Sequence, residues 1–287
     1  MSEFPWQRMD AEELDRQYNA RGTVADVDVF LREYHDASTP MYAQLPCVRD
    51  VAYGTSPDER LDLFPVPGRA DAPLFVFIHG GYWRALAKED SVFMAKSFTE
   101  RGIAVASLNY GLSPQVPLEE IVAQCRRGMA WLYHHGGQHG VDVNRIVVAG
   151  SSAGGHLGGM LLATGWQADL GLPDRIVQGG ALISGLFDLA PVQQTRPNQW
   201  LQLDEARARA LSPIHLLPPT GTRLLIAAAA ADTGEFKRQS TQYAEACRTH
   251  GCAVEAMEIA GRNHFDVIIE WMNPKAPMTR ATWALFD

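Results

Sequence analysis

Short apolar segments alternate with longer amphipathic ones through most of this chain, and this alternation limits the fold more than any other feature. The clearest segment is LFVFIHGG at 74–81, an apolar run that ends in two glycines. Such a run fits a strand that is buried on both faces, as in a parallel sheet. Strands that alternate with helices at this spacing predict an α/β fold, with a mostly parallel central sheet of about eight strands flanked by helices.

The same pattern predicts the order of the elements. Strands are expected at 48–54, 60–66, 74–81, 103–110, 145–151, 180–185, 223–230 and 253–259. Helices are expected at 88–101, 117–135, 152–164 and 235–249, after a polar helical segment at 1–45. A long irregular stretch at about 186–222 separates two expected strands. Because insertions of that size are usually lids or binding loops, we predict a single domain over 1–287 with a small inserted cap.

Composition excludes several classes of protein. The chain has 287 residues, of which 46% are hydrophobic and 20% are charged, so it is neither disordered nor collagen-like and can bury a large core. A net charge of −8 argues against nucleic acid or an anionic membrane as a partner. The N-terminus is acidic and polar, and the apolar runs are too short to span a bilayer. We therefore expect a cytoplasmic protein.

Cysteine and histidine spacing indicates neither disulfides nor a metal. The four cysteines form no CxxC pair and are expected to be reduced core residues. His134, His135 and His139 lie close together at the end of an expected helix, but without the carboxylates or thiols that would complete a metal site. No metal or organic cofactor is expected. The oligomeric state stays open, with a homodimer as one candidate.

The most informative motif follows the expected strand at 145–151. GSSAG at 150–154 is a G-x-S-x-G sequence with a strand before it and a helix after it. Small flanking residues allow a turn so sharp that the hydroxyl of Ser152 is exposed above the carboxyl edge of the sheet. The nearby helix N-terminus adds a positive dipole where an oxyanion would form. Ser152 is therefore the candidate nucleophile.

A serine nucleophile needs a base, and the base needs an orienting acid. In α/β-hydrolases the chain order is serine, acid, histidine. Asp232 comes directly after the expected strand at 223–230 and is the preferred acid. Two other acids are weighed against it: Glu235 suits the first turn of the next helix, and Asp188 suits the surface or the cap.

His264 is the preferred base among the nine histidines because it lies in the loop after the last expected strand. His156 follows Ser152 by four residues on the same expected helix. It is more typical of a packed or hydrogen-bonded core histidine than of a base.

The loop HGGYW at 79–83 ends the expected strand at 74–81 and matches the HGGG-type loop of the oxyanion hole. Glycine allows the backbone to approach the reacting carbonyl closely. The histidine that opens this loop is expected to anchor it by hydrogen bonds. The oxyanion hole is assigned to the backbone of Gly81, Tyr82 and Ala153, with Gly80 shaping the loop.

With these residues in place, the sequence resembles the kynurenine formamidase (arylformamidase) group of α/β-hydrolases, which is related to the hormone-sensitive-lipase-like esterases. Tyr-Trp after HGG is the more specific sign, because the lipase-like esterases usually have a third glycine there. The resemblance rests on HGGYW at 79–83, GSSAGGHL at 150–157, DTGEFKRQS at 232–240 and NHFDVIIE at 263–270, and more weakly on LDRQYNAR at 14–21 and LNYGLSP at 108–114.

The resemblance implies a serine hydrolase whose triad is Ser152, Asp232 and His264. It implies hydrolysis of N-formyl-L-kynurenine, or of a similar N-formyl arylamine, to formate and the free amine. A carboxylesterase or amidase of broader small-acyl specificity is the alternative, and a non-catalytic binding protein on the same scaffold is a third. Four aromatic residues are candidates to bind an aryl leaving group, with core packing as the alternative role of each: Tyr82, Trp83, Trp200 and Phe236.

Overall fold

The structure is a computed structural model that describes residues 5–287 and confirms the predicted α/β fold. Its sheet has eight strands. They are β1 (Val48–Ala52), β2 (Arg60–Phe64), β3 (Ala72–Ile78), β4 (Ala104–Leu108), β5 (Val141–Ser151), β6 (Gly179–Ile183), β7 (Arg223–Ala229) and β8 (Ala253–Ile259). In space they lie in the order β1-β2-β4-β3-β5-β6-β7-β8. The pairs from β4 to β8 are parallel, and β2 is antiparallel to both β1 and β4.

Helices and short 3-10 turns connect the strands. The α-helices are α1 (Ala11–Gln17), α2 (Val27–Gln44), α3 (Ala95–Glu100), α4 (Leu118–His135), α5 (Ala153–Leu162), α6 (Asn198–Leu201), α7 (Glu205–Ala210), α8 (Gly234–Thr249) and α9 (Pro277–Ala284). Within residues 5–287, none of the helices is both long enough and apolar enough to cross a bilayer.

Side chains along the central strand β3 alternate between two apolar layers. Leu74, Val76 and Ile78 pack into the layer that includes residues of α4, α5 and α8. Phe75 and Phe77 pack into the opposite layer, with residues of α2, α3 and α9. Successive side chains of a strand point to opposite faces, so the uninterrupted apolar run seen in the sequence is explained by a sheet that is covered on both sides.

The parallel register places the ends of the central strands at a common edge. Ile78 of β3 is paired with Gly150 of β5, and Ser151 of β5 is paired with Ile183 of β6. The strand β7 ends at Ala229 on the same edge. The loops that follow these strands therefore converge, as expected at the carboxyl edge of an open α/β sheet.

The helix expected at 88–101 is shorter in the structure. A 3-10 turn occupies Lys88–Asp90, and the α-helix begins only at Ala95. Lys88 is 2% exposed, and its Nζ lies 2.9 Å from Oδ2 of the fully buried Asp62 on β2. Because this ion pair ties residue 88 to the sheet, the segment cannot continue as one regular solvent-facing helix.

The N-terminal segment contains the long helix α2, whereas the stretch after β6 consists of short helices and turns. Between β6 and β7 lie α6, α7 and the 3-10 turns Pro191–Gln194 and Pro213–His215. This stretch meets the N-terminal segment where the Arg196 amide donates to Oδ1 of Asp15 at 2.7 Å. The division of the chain into a domain with an inserted cap stays a prediction.

Candidate active site

Ser152 lies at a sharp turn between β5 and α5. Its φ of 57° and ψ of −120° place it outside the helix that was expected to start there. The Ser152 amide donates to the carbonyl of Ile183 at 2.9 Å. The flanking glycine is required: a Cβ on Gly154 would lie 2.0 Å from the carbonyl oxygen of Ile78. The turn therefore depends on a backbone contact between α5 and β3 that only glycine allows.

Asp232 and His264 form a buried pair in the loops after β7 and β8. His264 Nδ1 lies 2.6 Å from Asp232 Oδ1, and the two residues are 5% and 6% exposed. The other carboxylate oxygen accepts hydrogen bonds from the Ser184 hydroxyl and from the Ala229 amide, the latter at 2.8 Å. Burial alone would raise the pKa of Asp232, but the facing His264 and these donors hold the pKa below its ordinary value.

The His264 imidazole contacts two aromatic rings. Its ring centroid lies 4.5 Å from that of Phe236 and 5.4 Å from that of Phe265. Phe265 in turn stacks on Phe30 of α2, and its carbonyl accepts a hydrogen bond from the Tyr34 hydroxyl. The helix α2, from the N-terminal segment, thus fixes the loop that carries His264.

The loop after β3 lies against the serine turn. A Cβ on Gly80 would lie 2.8 Å from the Ser151 carbonyl oxygen and 3.5 Å from the Ser152 Cβ. The next residues have positive φ angles, 93° at Gly81 and 52° at Tyr82. Ala153 is the first residue of α5, where helix geometry leaves the amide without an intrahelical partner. The backbone segments predicted to form an oxyanion hole are therefore adjacent.

His79 anchors this loop, as the sequence predicts. Its Nδ1 lies 3.0 Å from the carbonyl oxygen of Gly80, which also accepts from the Tyr110 hydroxyl at 3.2 Å. The imidazole stacks on the Tyr110 ring with centroids 4.2 Å apart. Burial lowers the pKa of His79 to about 4, so the ring is neutral near pH 7.

A cavity of about 630 Å³ opens over Ser152 and His264. Its wall includes Gly80, Gly81, Tyr82 and Trp200, as well as many residues of the N-terminal segment. The Tyr82 hydroxyl donates to the carbonyl of Tyr18 at 2.5 Å, and the Trp200 Nε1 donates to the carbonyl of Tyr82 at 3.1 Å. These two bonds connect the loop after β3 to the N-terminal segment and to the stretch after β6.

Two of the four predicted aromatic contacts need correction. Trp83 and Phe236 are both 0% exposed and are not part of the cavity wall. The Trp83 ring packs edge-on against His156 at 4.9 Å, and Phe236 packs beneath His264. Both rings are therefore packed in the interior and contact histidines near the site instead of lining the cavity.

The alternative acids and bases have other partners. Glu235 accepts from the Tyr18 hydroxyl at 2.8 Å and is paired with Arg238 at 2.6 Å. Asp188 Oδ1 accepts from the amide of Ala190 at 2.9 Å. His156 is fully buried, with Nε2 2.7 Å from the Leu211 carbonyl oxygen. Among these candidates, His264 lines the same cavity as Ser152 and is paired with Asp232.

The N-terminal segment is the part of the site that sequence reasoning missed. Tyr18, Asn19, Arg21, Leu31 and Tyr34 all line the cavity. The motif LDRQYNAR at 14–21 contributes weakly to the family resemblance, but nothing in its local pattern indicates a role at the site. Only the folded chain brings this segment over the carboxyl edge of the sheet.

The strand order and the serine turn, with an aspartate–histidine pair in the later loops, define an α/β-hydrolase. The family model BD-FAE matches residues 61–174. Kynurenine formamidase of Salmo salar is 30% identical over an alignment that covers 92% of each chain. The chain belongs to the kynurenine formamidase family.

Solved structures agree with this fold. A Silicibacter protein whose assignment as a thioesterase is provisional is 26% identical, with a TM-score of 0.82 over 94% of this chain and 98% of its own. A thermostable carboxylesterase from a metagenomic library is 20% identical, with a TM-score of 0.68 over 91% of this chain and 97% of its own. The predicted fold class and the predicted resemblance are therefore confirmed.

Proposed function

We propose that the protein is a serine hydrolase of the arylformamidase type, which cleaves N-formyl-L-kynurenine or a similar N-formyl arylamine to formate and the free amine. The proposal is carried by one observation: Ser152 and His264 line the same cavity of about 630 Å³, and His264 is paired with the buried Asp232. Cavities of this volume suit a small-molecule substrate. Membership of the kynurenine formamidase family supports the formamide over other acyl compounds.

In the proposed mechanism, the Ser152 hydroxyl attacks the formyl carbon while His264 takes its proton. Because Nδ1 of His264 faces Asp232, the other ring nitrogen is the one that receives this proton. Asp232 orients the imidazole and stabilises its charged form. The backbone amides of Gly81, Tyr82 and Ala153 stabilise the oxyanion of the tetrahedral intermediate.

His264 then returns the proton to the nitrogen of the leaving arylamine, and the carbon–nitrogen bond breaks. A water molecule attacks the formyl-enzyme ester, again with His264 as the base, and formate leaves as the Ser152 hydroxyl is restored.

The acyl preference tests the proposal. Formyl, acetyl and butyryl amides of one arylamine differ only in the group that occupies the acyl side of the site. We expect kcat/KM to fall by about 10- to 200-fold from formyl to acetyl, the range that one methylene typically produces. Equal kcat/KM for the three amides would contradict the formamidase assignment.

A fluorophosphonate probe tests whether the serine is reactive at all. The wild type and the Ser151→Ala variant should both be labelled, whereas Ser152→Ala should not. Ser151 is the matched control because it is the neighbouring serine and also lines the cavity. Absence of labelling in the wild type would instead favour the non-catalytic binding protein.

A carboxylesterase of broader specificity is the second candidate. It is favoured by the structural likeness to a carboxylesterase, which extends over 91% of the chain. Under this alternative, aryl acetates and butyrates would be hydrolysed with kcat/KM values at or above those of the formamides.

We also propose a cytoplasmic location. Cys47, Cys125, Cys247 and Cys252 are free thiols, as is usual for proteins in a reducing compartment. Fractionation of the native host would test this location by showing whether the protein is in the cytoplasmic fraction. A thiol-reactive reagent applied to that fraction would show whether the cysteines are reduced.

A further inference from the structure

The mouth of the cavity carries more positive than negative charge. Three arginines line it, Arg21, Arg84 and Arg196, and Asp15 is the acidic residue in the same wall among residues 5–287. Asp15 is already paired, because its carboxylate accepts from the Arg196 amide at 2.7 Å and lies 3.2 Å from Arg196 Nε. That pair joins α1 to the stretch after β6 and cancels one charge of each sign.

Arg21 and Arg84 remain without a carboxylate partner in the part of the chain that the structure describes. Arg21 lies in the 3-10 turn Ala20–Thr23, and Arg84 follows the loop after β3. Both side chains are exposed at the mouth and line the cavity. Two unpaired guanidinium groups at the entrance of an otherwise largely aromatic and apolar cavity create a local site for an anion.

The Arg84 side chain is restrained by a contact with Trp200. Its guanidinium carbon lies 4.3 Å from the centroid of the Trp200 ring, a cation–π contact that limits the freedom of the side chain. The Trp200 Nε1 donates to the carbonyl of Tyr82, and Tyr82 belongs to the proposed oxyanion loop. Two contacts, Arg84 with Trp200 and Trp200 with Tyr82, therefore connect the Arg84 guanidinium to the proposed oxyanion loop.

The orientation of the substrate follows from the size of its two halves. A formyl group carries only a hydrogen beyond its carbonyl, so a charged group cannot be part of the acyl side. The leaving arylamine must occupy most of the cavity between Ser152 and the mouth. Any anionic group that reaches Arg21 and Arg84 therefore belongs to the amine.

We propose that Arg21 and Arg84 determine specificity by binding a carboxylate on the leaving amine of the substrate. Arginine matches a carboxylate with two parallel hydrogen bonds. The inference rests on the proposed function and deepens it, because it names the substrate feature that is recognised and the residues that recognise it.

The test compares two formamides of the same arylamine, one with a side-chain carboxylate and one with the neutral carboxamide in its place. The measured quantity is the ratio of their kcat/KM values. In the wild type, the ratio should favour the carboxylate by at least about tenfold, as expected for charge-assisted hydrogen bonds. Arg21→Gln and Arg84→Gln should each lower the ratio by about 5- to 20-fold, and Arg84→Lys should lower it less because the charge remains.

Arg101→Gln is the matched control. Arg101 is also an exposed arginine beside a tryptophan, with its guanidinium carbon 5.7 Å from the Trp283 ring centroid, but it is not part of the cavity wall. Its loss should leave the ratio unchanged. Raising the salt concentration should lower the wild-type ratio as well, because the two arginines are exposed and the screening length is about 8 Å at 0.15 M.

A ratio that is the same in the wild type and in both glutamine variants would overturn the inference. The neutral carboxamide separates this failure from a failure of the proposed function, because its hydrolysis tests the formamidase activity alone. Calorimetric binding of the carboxylated product amine to Ser152→Ala provides a second readout that needs no turnover. If adding Arg84→Gln to the Ser152→Ala variant weakens this binding, the inference is supported. If the two variants bind the amine equally, the inference is contradicted.

Discussion

At the scale of single residues, the environment of each ionisable group determines its proposed role. Asp232 accepts hydrogen bonds from His264, Ser184 and the Ala229 amide, and this set of donors keeps the carboxylate ionised. Ser184 has a positive φ of 47° and is fully buried. It positions Asp232, and its place in the sequence, at the end of an ordinary strand, provides no sign of that role.

Asp232 and Asp188 are the two candidate acids, and replacing each with asparagine, which has a similar size but no charge, tests which one acts with His264. Asp232→Asn should lower kcat by about 10⁴-fold, because an amide facing Nδ1 disfavours the required imidazole tautomer. Asp188→Asn is the control, since Oδ1 of an asparagine can still accept from the Ala190 amide, and kcat should stay within about twofold. Steady-state kinetics with the formamide substrate checks both variants, and the reverse order of effects would show that Asp188 is the acid.

At the scale of elements, the serine turn depends on how closely α5 approaches the sheet. The Cβ positions of Gly150 and Gly154 are both filled by backbone atoms, with the nearest at 2.4 Å and 2.0 Å. The sequence predicts the strand, the turn and the helix because small residues surround Ser152. It also predicts the apolar strands, but not the break between Lys88 and Ala95, which depends on an ion pair with a distant strand.

Gly154→Ala should therefore destabilise the fold and disturb the serine turn. We expect the free energy of unfolding to fall by about 2–4 kcal/mol, as for an overpacked core position that cannot relax. Gly137→Ala is the matched control, because a Cβ at Gly137 meets no atom within 4 Å and its φ is not positive. Urea unfolding of both variants measures the difference, and equal stability would mean that α5 can move away from β3.

At the scale of the whole molecule, the site is assembled from segments that are far apart in the sequence. The cavity wall combines residues of the N-terminal segment, the loop after β3, the serine turn, the stretch after β6 and the loop of His264. Buried histidines support two of these parts. His79 fixes the oxyanion loop, and His156 bonds α5 to the carbonyl of Leu211. Burial lowers the pKa of His156 to about 4.

This burial predicts a loss of stability in acid. The folded pKa of His156 lies below the ordinary value of 6.5, so the unfolded state binds the proton first as the pH falls. The stabilisation is complete above about pH 6.5 and is lost progressively down to about pH 4, with about 2 kcal/mol lost between pH 7.5 and 5. His156→Gln should remove that part of the pH dependence of the unfolding free energy.

His250→Gln is the control, because His250 is exposed at the end of α8 and its replacement leaves the buried His156 in place, so the acid-induced loss due to His156 should persist. Urea unfolding at pH 7.5 and at pH 5 measures each variant. If His156→Gln lost stability on acidification as the wild type does, another group would have to account for the acid sensitivity.

The sequence by itself determined the order of strands and helices, the serine turn and the candidate acid and histidine. These features are local, because a run of apolar residues, a small-residue turn or a residue directly after a strand is visible in a short window. The tertiary structure alone decided which aromatic residues reach the cavity and that the N-terminal segment forms its wall. It also decided which arginines stay unpaired at its mouth. Those features depend on contacts between residues that are distant along the chain, such as Tyr82 with Tyr18 and Arg196 with Asp15, and no local pattern specifies such pairs.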